Sequence, residues 1–118
     1  MKIRIRGNSI RLRILQGEMR DLLQNGRVSE FTQFSPTHAL EYALELTEDC
    51  GVDAKFVEGR ITVGVPRDVA RKWASTDQVS IEAQQPPLKI LIEKDFACEQ
   101  APDDEPQDDA FPNPNKCD

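Results

Sequence analysis

Residues 10–29, IRLRILQGEMRDLLQNGRVS, and residues 61–80, ITVGVPRDVARKWASTDQVS, present the same order of events twice. At an offset of 51, Ile10 and Ile61, Arg20 and Arg71, Val28 and Val79, and Ser29 and Ser80 coincide. Each copy reads as a tight turn, an alternating apolar strand, a short helix and a second strand. The strand residues are Ile10, Leu12 and Ile14 in one copy and Ile61, Val63 and Val65 in the other. A unit this short cannot bury its own apolar face, so the two copies are expected to close one core together.

Local chemistry sets the elements. Lys2 to Arg6 alternates, Gly7-Asn8-Ser9 supplies a turn, and Ser9 to Ile14 alternates again, which predicts a hairpin. Met19, Leu22 and Leu23 at helical spacing predict a helix over 16–24, with Asn25-Gly26 as a left-handed stop. Val28 to Phe34 and His38 to Leu46 follow as strands, the latter with Leu40, Tyr42, Leu44 and Leu46 on one face. In the second copy, strands over 54–58 and 60–65 flank Gly59, and a helix over 66–74 opens on Pro66. Strands over 79–83 and 88–94 complete it. Trp73, aligned with Leu22, is expected to plug the core between helix and sheet.

Charge divides the chain differently. Residues 99–118 hold seven acids against Lys116, a balance of −6 that equals the formal net charge of the whole chain. Residues 1–98 are therefore neutral, and the low pI describes the acidic stretch. That stretch is rich in proline, and Phe111 is its one large apolar residue, so it reads as a disordered tail. The expected organisation is a domain over 1–98, with repeats at about 1–46 and 53–94, and a tail over 99–118. At the opposite end, Lys2, Arg4, Arg6, Arg11 and Arg13 precede any acid. Strand alternation puts these cations on the outer face of the hairpin and Ile3, Ile5, Ile10, Leu12 and Ile14 on the inner one.

Several classes of function find no support. Cys50, Cys98 and Cys117 are odd in number and lack paired spacing, against a disulfide framework or a zinc knuckle. His38 is the sole histidine and is expected at the surface. No nucleophile elbow, phosphate-cradling glycine loop or metal-binding helix motif occurs, so neither an enzyme nor a cofactor is expected. Short apolar runs predict no membrane span, and the protein is expected in the cytoplasm.

The stretch RIRGNSIRLRILQGEMRDLLQNGRVSEF resembles the AbrB/MazE-like swapped-hairpin domain in Gly7, Asn8, Ser9, Arg13 and the basic Arg4. Leu15 stands where that family usually has proline, and the second copy supplies the proline at Pro66. The whole chain is also similar to a group of short uncharacterised bacterial proteins that share the opening hairpin and the EKDFAC segment. The swapped-hairpin resemblance implies an α+β, β-rich fold: tandem ββαββ units forming one pseudo-symmetric barrel, as a monomeric pseudo-dimer or weak homodimer. It implies a DNA-binding regulator or antitoxin in which Arg4, Arg6, Arg11 and Arg13 contact DNA and Asn8 shapes the loop. The alternative is an adaptor that docks on a partner protein through the acidic tail, by Asp108, Asp109 and Phe111, without binding DNA.

Overall fold

The computed structural model describes residues 1–96 and Phe111. The first copy comprises β1 (Lys2–Arg6), β2 (Ser9–Ile14), α1 (Gln16–Asn25), β3 (Arg27–Ser35) and β4 (His38–Thr47). The second comprises β5 (Asp53–Val57), β6 (Arg60–Pro66), α2 (Arg67–Ser75), β7 (Ser80–Gln85) and β8 (Leu88–Lys94). Both helices fall within a residue or so of the expected bounds. Gly26 stops α1 at φ 84°, and its N–H donates to Leu22 O at 2.8 Å. Pro66 stands immediately before α2 instead of within it.

The copies exchange hairpins. One sheet has the strand order β1-β2-β8-β7 and the other β3-β4-β6-β5, so each joins the first hairpin of one copy to the second hairpin of the other. The central junctions, β2 with β8 and β4 with β6, are parallel. Ile10, Leu12, Ile14, Leu44, Val63, Val65, Ile90 and Ile92 point between the sheets, and Trp73 is fully buried among them with its indole N–H on Val79 O at 3.0 Å. Neither copy holds this interior alone.

The expected barrel does not close. Eight strands form two four-stranded sheets with β1, β7, β3 and β5 as edges, and no ladder joins β1 to β3 or β5 to β7. Side chains bridge the gaps instead. Between β5 and β7 the Gln85 carboxamide donates to Ala54 O and accepts from Ala54 N–H, both at 2.9 Å, standing in for a strand's backbone. Between β1 and β3 the Met1 amino group lies 3.3 Å from the Glu30 carboxylate. Toward the hairpin turns the sheets diverge, and Ile5, expected on the buried face, is 60% exposed.

Strand register refines the repeat. Ile3 pairs with Leu12 and Ala54 with Val63, so both first-hairpin strands are related by a shift of 51. Ser9 lies beside Lys89 and Arg60 beside Glu41, which makes Lys89 the equivalent of Glu41, a shift of 48. Val28 pairs with Leu44 and Ile81 with Ile92, so Val28 corresponds to Ile81, a shift of 53. The connection after α2 is thus two residues longer than its counterpart, and the hairpin that follows is five shorter. Val79 takes the place of Gly26, its O accepting from Lys94 N–H at 3.0 Å as Gly26 O accepts from Leu46 N–H at 2.9 Å. The matches of Val28 to Val79 and Ser29 to Ser80 are therefore not structurally equivalent positions.

Candidate nucleic-acid interface and acidic tail

The β1–β2 register sets Lys2 opposite Arg13 and Arg4 opposite Arg11, with Arg6 opposite Ser9 at the turn. Like charges facing each other across a ladder are unfavourable unless something neutralises them. Strand β8 does part of that. Glu93, the parallel neighbour of Arg13, holds Arg13 Nε at 2.5 Å and Arg11 Nε at 3.6 Å. Asp95 lies 3.5 Å from Lys2 Nζ. Arg4 and Arg6 have no ion pair among the described residues. At the tip, Asn8 O accepts from Lys89 N–H at 2.9 Å and Ser9 Oγ donates to Arg6 O at 2.7 Å, which fixes the turn that carries Arg6.

The outer faces of the two sheets differ. On the first, Lys2, Arg4, Arg6, Arg11, Arg13 and Lys89 outnumber Glu82, Glu93 and Asp95. On the second, Arg27, Lys55 and Arg60 are balanced by Glu41, Glu45 and Asp53. There Arg27 reaches Glu41 at 2.9 Å and Glu45 at 3.7 Å, and Arg60 reaches Glu41 at 2.7 Å. The positions of Arg11 and Arg13 are taken by Thr62 and Gly64 in the second hairpin. A side chain at Gly64 would meet Asp53 Oδ1 and Thr47 Cγ2, each 2.8 Å from the added Cβ. An arginine there would have to push the ends of those two side chains aside, and with Thr62 and Gly64 in these places the charged plate is confined to one hairpin.

A second polar cluster, which sequence patterning did not single out, lies under β1. The Met1 amino group contacts Glu18, whose carboxylate also accepts from Leu15 N–H at 2.9 Å and so caps α1. Tyr42 Oη donates to Glu30 at 3.2 Å. Burial, then the Glu30 carboxylate, push the Tyr42 phenol above its ordinary pKa. The equivalent positions of the second copy hold Val52, Val69, Ala83 and Ile90, all packed on the core. Only comparison of corresponding positions reveals the cluster, because each member alone is an ordinary surface residue type.

Of the expected tail contacts, Asp108 and Asp109 lie outside the described residues, as do Cys98 and Cys117. Phe111 is half-buried against the domain. Its N–H donates to Asp95 O at 2.8 Å, and its ring meets Phe96 edge-on, with centroids 6.0 Å apart. Lys94 Nζ stands 5.4 Å from the same ring and donates to Thr76 O at 2.9 Å. Burial pulls the Lys94 amine below its ordinary pKa, against an opposing pull from Asp77. His38 is exposed at the start of β4, its Nδ1 2.9 Å from Thr37 Oγ1 and 3.2 Å from Ser35 Oγ. Among the described residues no helix is long and apolar enough to cross a membrane.

These features define a β-rich pseudo-symmetric domain of exchanged hairpins with one basic outer face. The chain belongs to a family of unknown function (DUF7009), whose model matches residues 1–115. That match fits the similarity to short uncharacterised proteins and lends no support to the AbrB/MazE-like assignment. No curated protein and no solved structure matches the chain.

Proposed function

We propose that this protein is a non-enzymatic, cytoplasmic binding module that lays the outer face of the β1–β2 hairpin on the phosphate backbone of duplex DNA, in the manner of an AbrB/MazE-like regulator or antitoxin. The observation that carries this reading is the pairing of Arg4 with Arg11 beside Lys2 and Arg13, with Arg4 and Arg6 left without carboxylate partners among the described residues. Such a cluster is unfavourable in the isolated domain and is relieved by a polyanion. Phosphate contacts of this kind release counterions. If only Arg4 and Arg6 engage, the slope of log affinity against log salt is about −1.8, and with all five cations about −4.5. Binding of that strength is positional and salt-sensitive and carries little sequence information.

Fluorescence anisotropy with a labelled duplex at low and moderate salt tests the reading. The full chain is expected to bind at low salt. Arg4→Glu with Arg6→Glu removes that binding, and Glu93→Gln tightens it by freeing Arg11 and Arg13. Absence of binding by the full chain at low salt refutes the proposal. The tail-adaptor alternative draws less support, because Phe111, its one apolar anchor, is engaged with Phe96 and Lys94 of its own chain.

A further inference from the structure

Strand β1 is a sheet edge whose backbone is left open. In β5, the strand equivalent to it, Ala54 turns its N–H and C=O away from β6 and onto the Gln85 carboxamide. Ile3 pairs with Leu12 as Ala54 pairs with Val63, so Ile3 directs the same two groups away from β2. Ile5, two residues on, does likewise. Thr32 stands where the second copy has Gln85, and the N–H and C=O of Ile3 and Ile5 have no partner among the described residues. Tyr42 Oη, 3.5 Å from Met1 O, closes the start of this edge, which is open from Ile3 to the turn. Across the gap, residues 29–34 of β3 are exposed on both faces. Strand β3 shifts register between Gln33 and Ser35, an irregularity that makes its own edge the poorer template.

The side chains of β1 say what pairs there. Its outer face presents Lys2, Arg4 and Arg6, and the two arginines have no ion pair among the described residues. Its inner face presents Ile3 and Ile5, and Ile5 is 60% exposed where the sheets part. A strand added to β1 alternates in step with it, so its outward residues meet cations and its inward residues cover isoleucines. The β1 of a second copy would set Lys2, Arg4 and Arg6 against like charges. The chain's own acidic stretch is interrupted by Pro102, Pro106, Pro112 and Pro114, which cannot donate to a ladder, and its Phe111 is seated on Asp95 and Phe96.

We propose that the β1 edge accepts an extended segment of another protein in which acidic and apolar residues alternate, the acids facing Lys2, Arg4 and Arg6 and the apolar side chains lying on Ile3 and Ile5. The main chain of that segment bonds to Ile3 and Ile5, as Gln85 bonds to Ala54 on the opposite flank. Charge complementarity chooses the acids, and the exposed Ile5 chooses their apolar neighbours. The inference goes beyond the DNA reading and does not rest on it, because it needs the backbone edge of β1, which phosphate contacts leave alone.

Titration of the full-length chain with a labelled synthetic peptide of alternating glutamate and valine, read by fluorescence anisotropy and by residue-resolved amide exchange, tests it. The peptide is expected to bind and to slow exchange at Ile3 and Ile5. A peptide of the same composition with its glutamates and valines in separate blocks binds about tenfold more weakly or worse. N-methylating the valines blocks an antiparallel strand and N-methylating the glutamates a parallel one, so at least one methylated peptide suffers the same loss. Ile5→Pro keeps every cation but withdraws an outward N–H, a change an edge strand tolerates. It removes the protection of Ile3 and leaves duplex binding as in the wild type, with unchanged Trp73 fluorescence and urea transition showing that it is folded. The proposal is overturned if the alternating peptide fails to bind, if the block peptide binds as well, if the Ile3 and Ile5 amides exchange in the complex as in the free chain, or if neither methylation matters. Protection of those amides that grows with the concentration of the chain alone overturns it too and makes the edge a contact between copies.

Discussion

Leu22 and Trp73 occupy the same place in the two copies, and both are fully buried, yet one is an aliphatic side chain and the other an indole with a hydrogen bond to Val79 O. The difference extends around them. Near Leu22 the first copy places the charged and phenolic groups of Met1, Glu18, Glu30 and Tyr42, and near Trp73 the second places aliphatic side chains at the equivalent positions. Within one chain the two copies need not pack against an identical partner. The first half holds charge at its surface and beneath its first strand, and the second holds aliphatic side chains at the places equivalent to that polar cluster.

The sharpest way to break this comparison is to truncate both plugs. Trp73→Ala is expected to cost about 3–5 kcal/mol and Leu22→Ala about 2–5 kcal/mol, with the tryptophan variant the worse because it withdraws the larger buried side chain and one of the two hydrogen bonds to Val79 O, which keeps Lys94 N–H. Urea unfolding of the two variants measures this. Equal losses would mean that the larger indole and its hydrogen bond add nothing over the leucine at the same place.

A second comparison concerns the two flanks of the open sandwich. Gln85 supplies both a donor and an acceptor to Ala54, whereas Thr32 supplies neither to Ile3. Gln85→Ala should therefore destabilise by about 1–3 kcal/mol, since Ala54 loses both its partners, while Thr32→Ala stays within about 0.5 kcal/mol. Hydrogen exchange sharpens the point, because the Ala54 amide should lose protection in the Gln85 variant. An Ala54 amide exchanging at the wild-type rate in Gln85→Ala would show that the flank is held by packing alone.

These contrasts divide along what a sequence can display. Strand alternation, the Gly26 stop, the start of α2 at Pro66 to within one residue and the burial of Trp73 are local or periodic, and they were legible. The same holds for the outward set of Lys2, Arg4, Arg6, Arg11 and Arg13, which strand alternation alone puts on one face. The exposure of Ile5 was not, because alternation assigns a face without saying where two sheets part. Nor was the neutralisation of Arg11 and Arg13, since Glu93 is some eighty residues away and reaches them only through the β2–β8 pairing. The repeat itself misled at its end. Identical residues at Val28 and Val79 suggested a constant offset, while two extra residues after α2 moved Val79 onto the place of Gly26.

The smallest expected effect compares Lys94 with Leu46, which holds the equivalent position in the first copy. Lys94 is 7% exposed, its amine rests on Thr76 O, and burial lowers its pKa in the folded chain. An unfolded chain then binds more protons than the folded one between the lowered value and the ordinary lysine value of 10.5. The corresponding stability is complete above that ordinary value and is lost as the pH falls through the lowered folded pKa. Lys94→Leu removes this dependence, so the variant should gain on the wild type at neutral pH, and its advantage should shrink as the pH rises toward 10.5. Urea midpoints for the pair across that range report the difference directly, because titrations elsewhere are common to both chains. A constant difference would mean that the Phe111 ring and Thr76 O fully replace the water that the Lys94 ammonium gives up on folding.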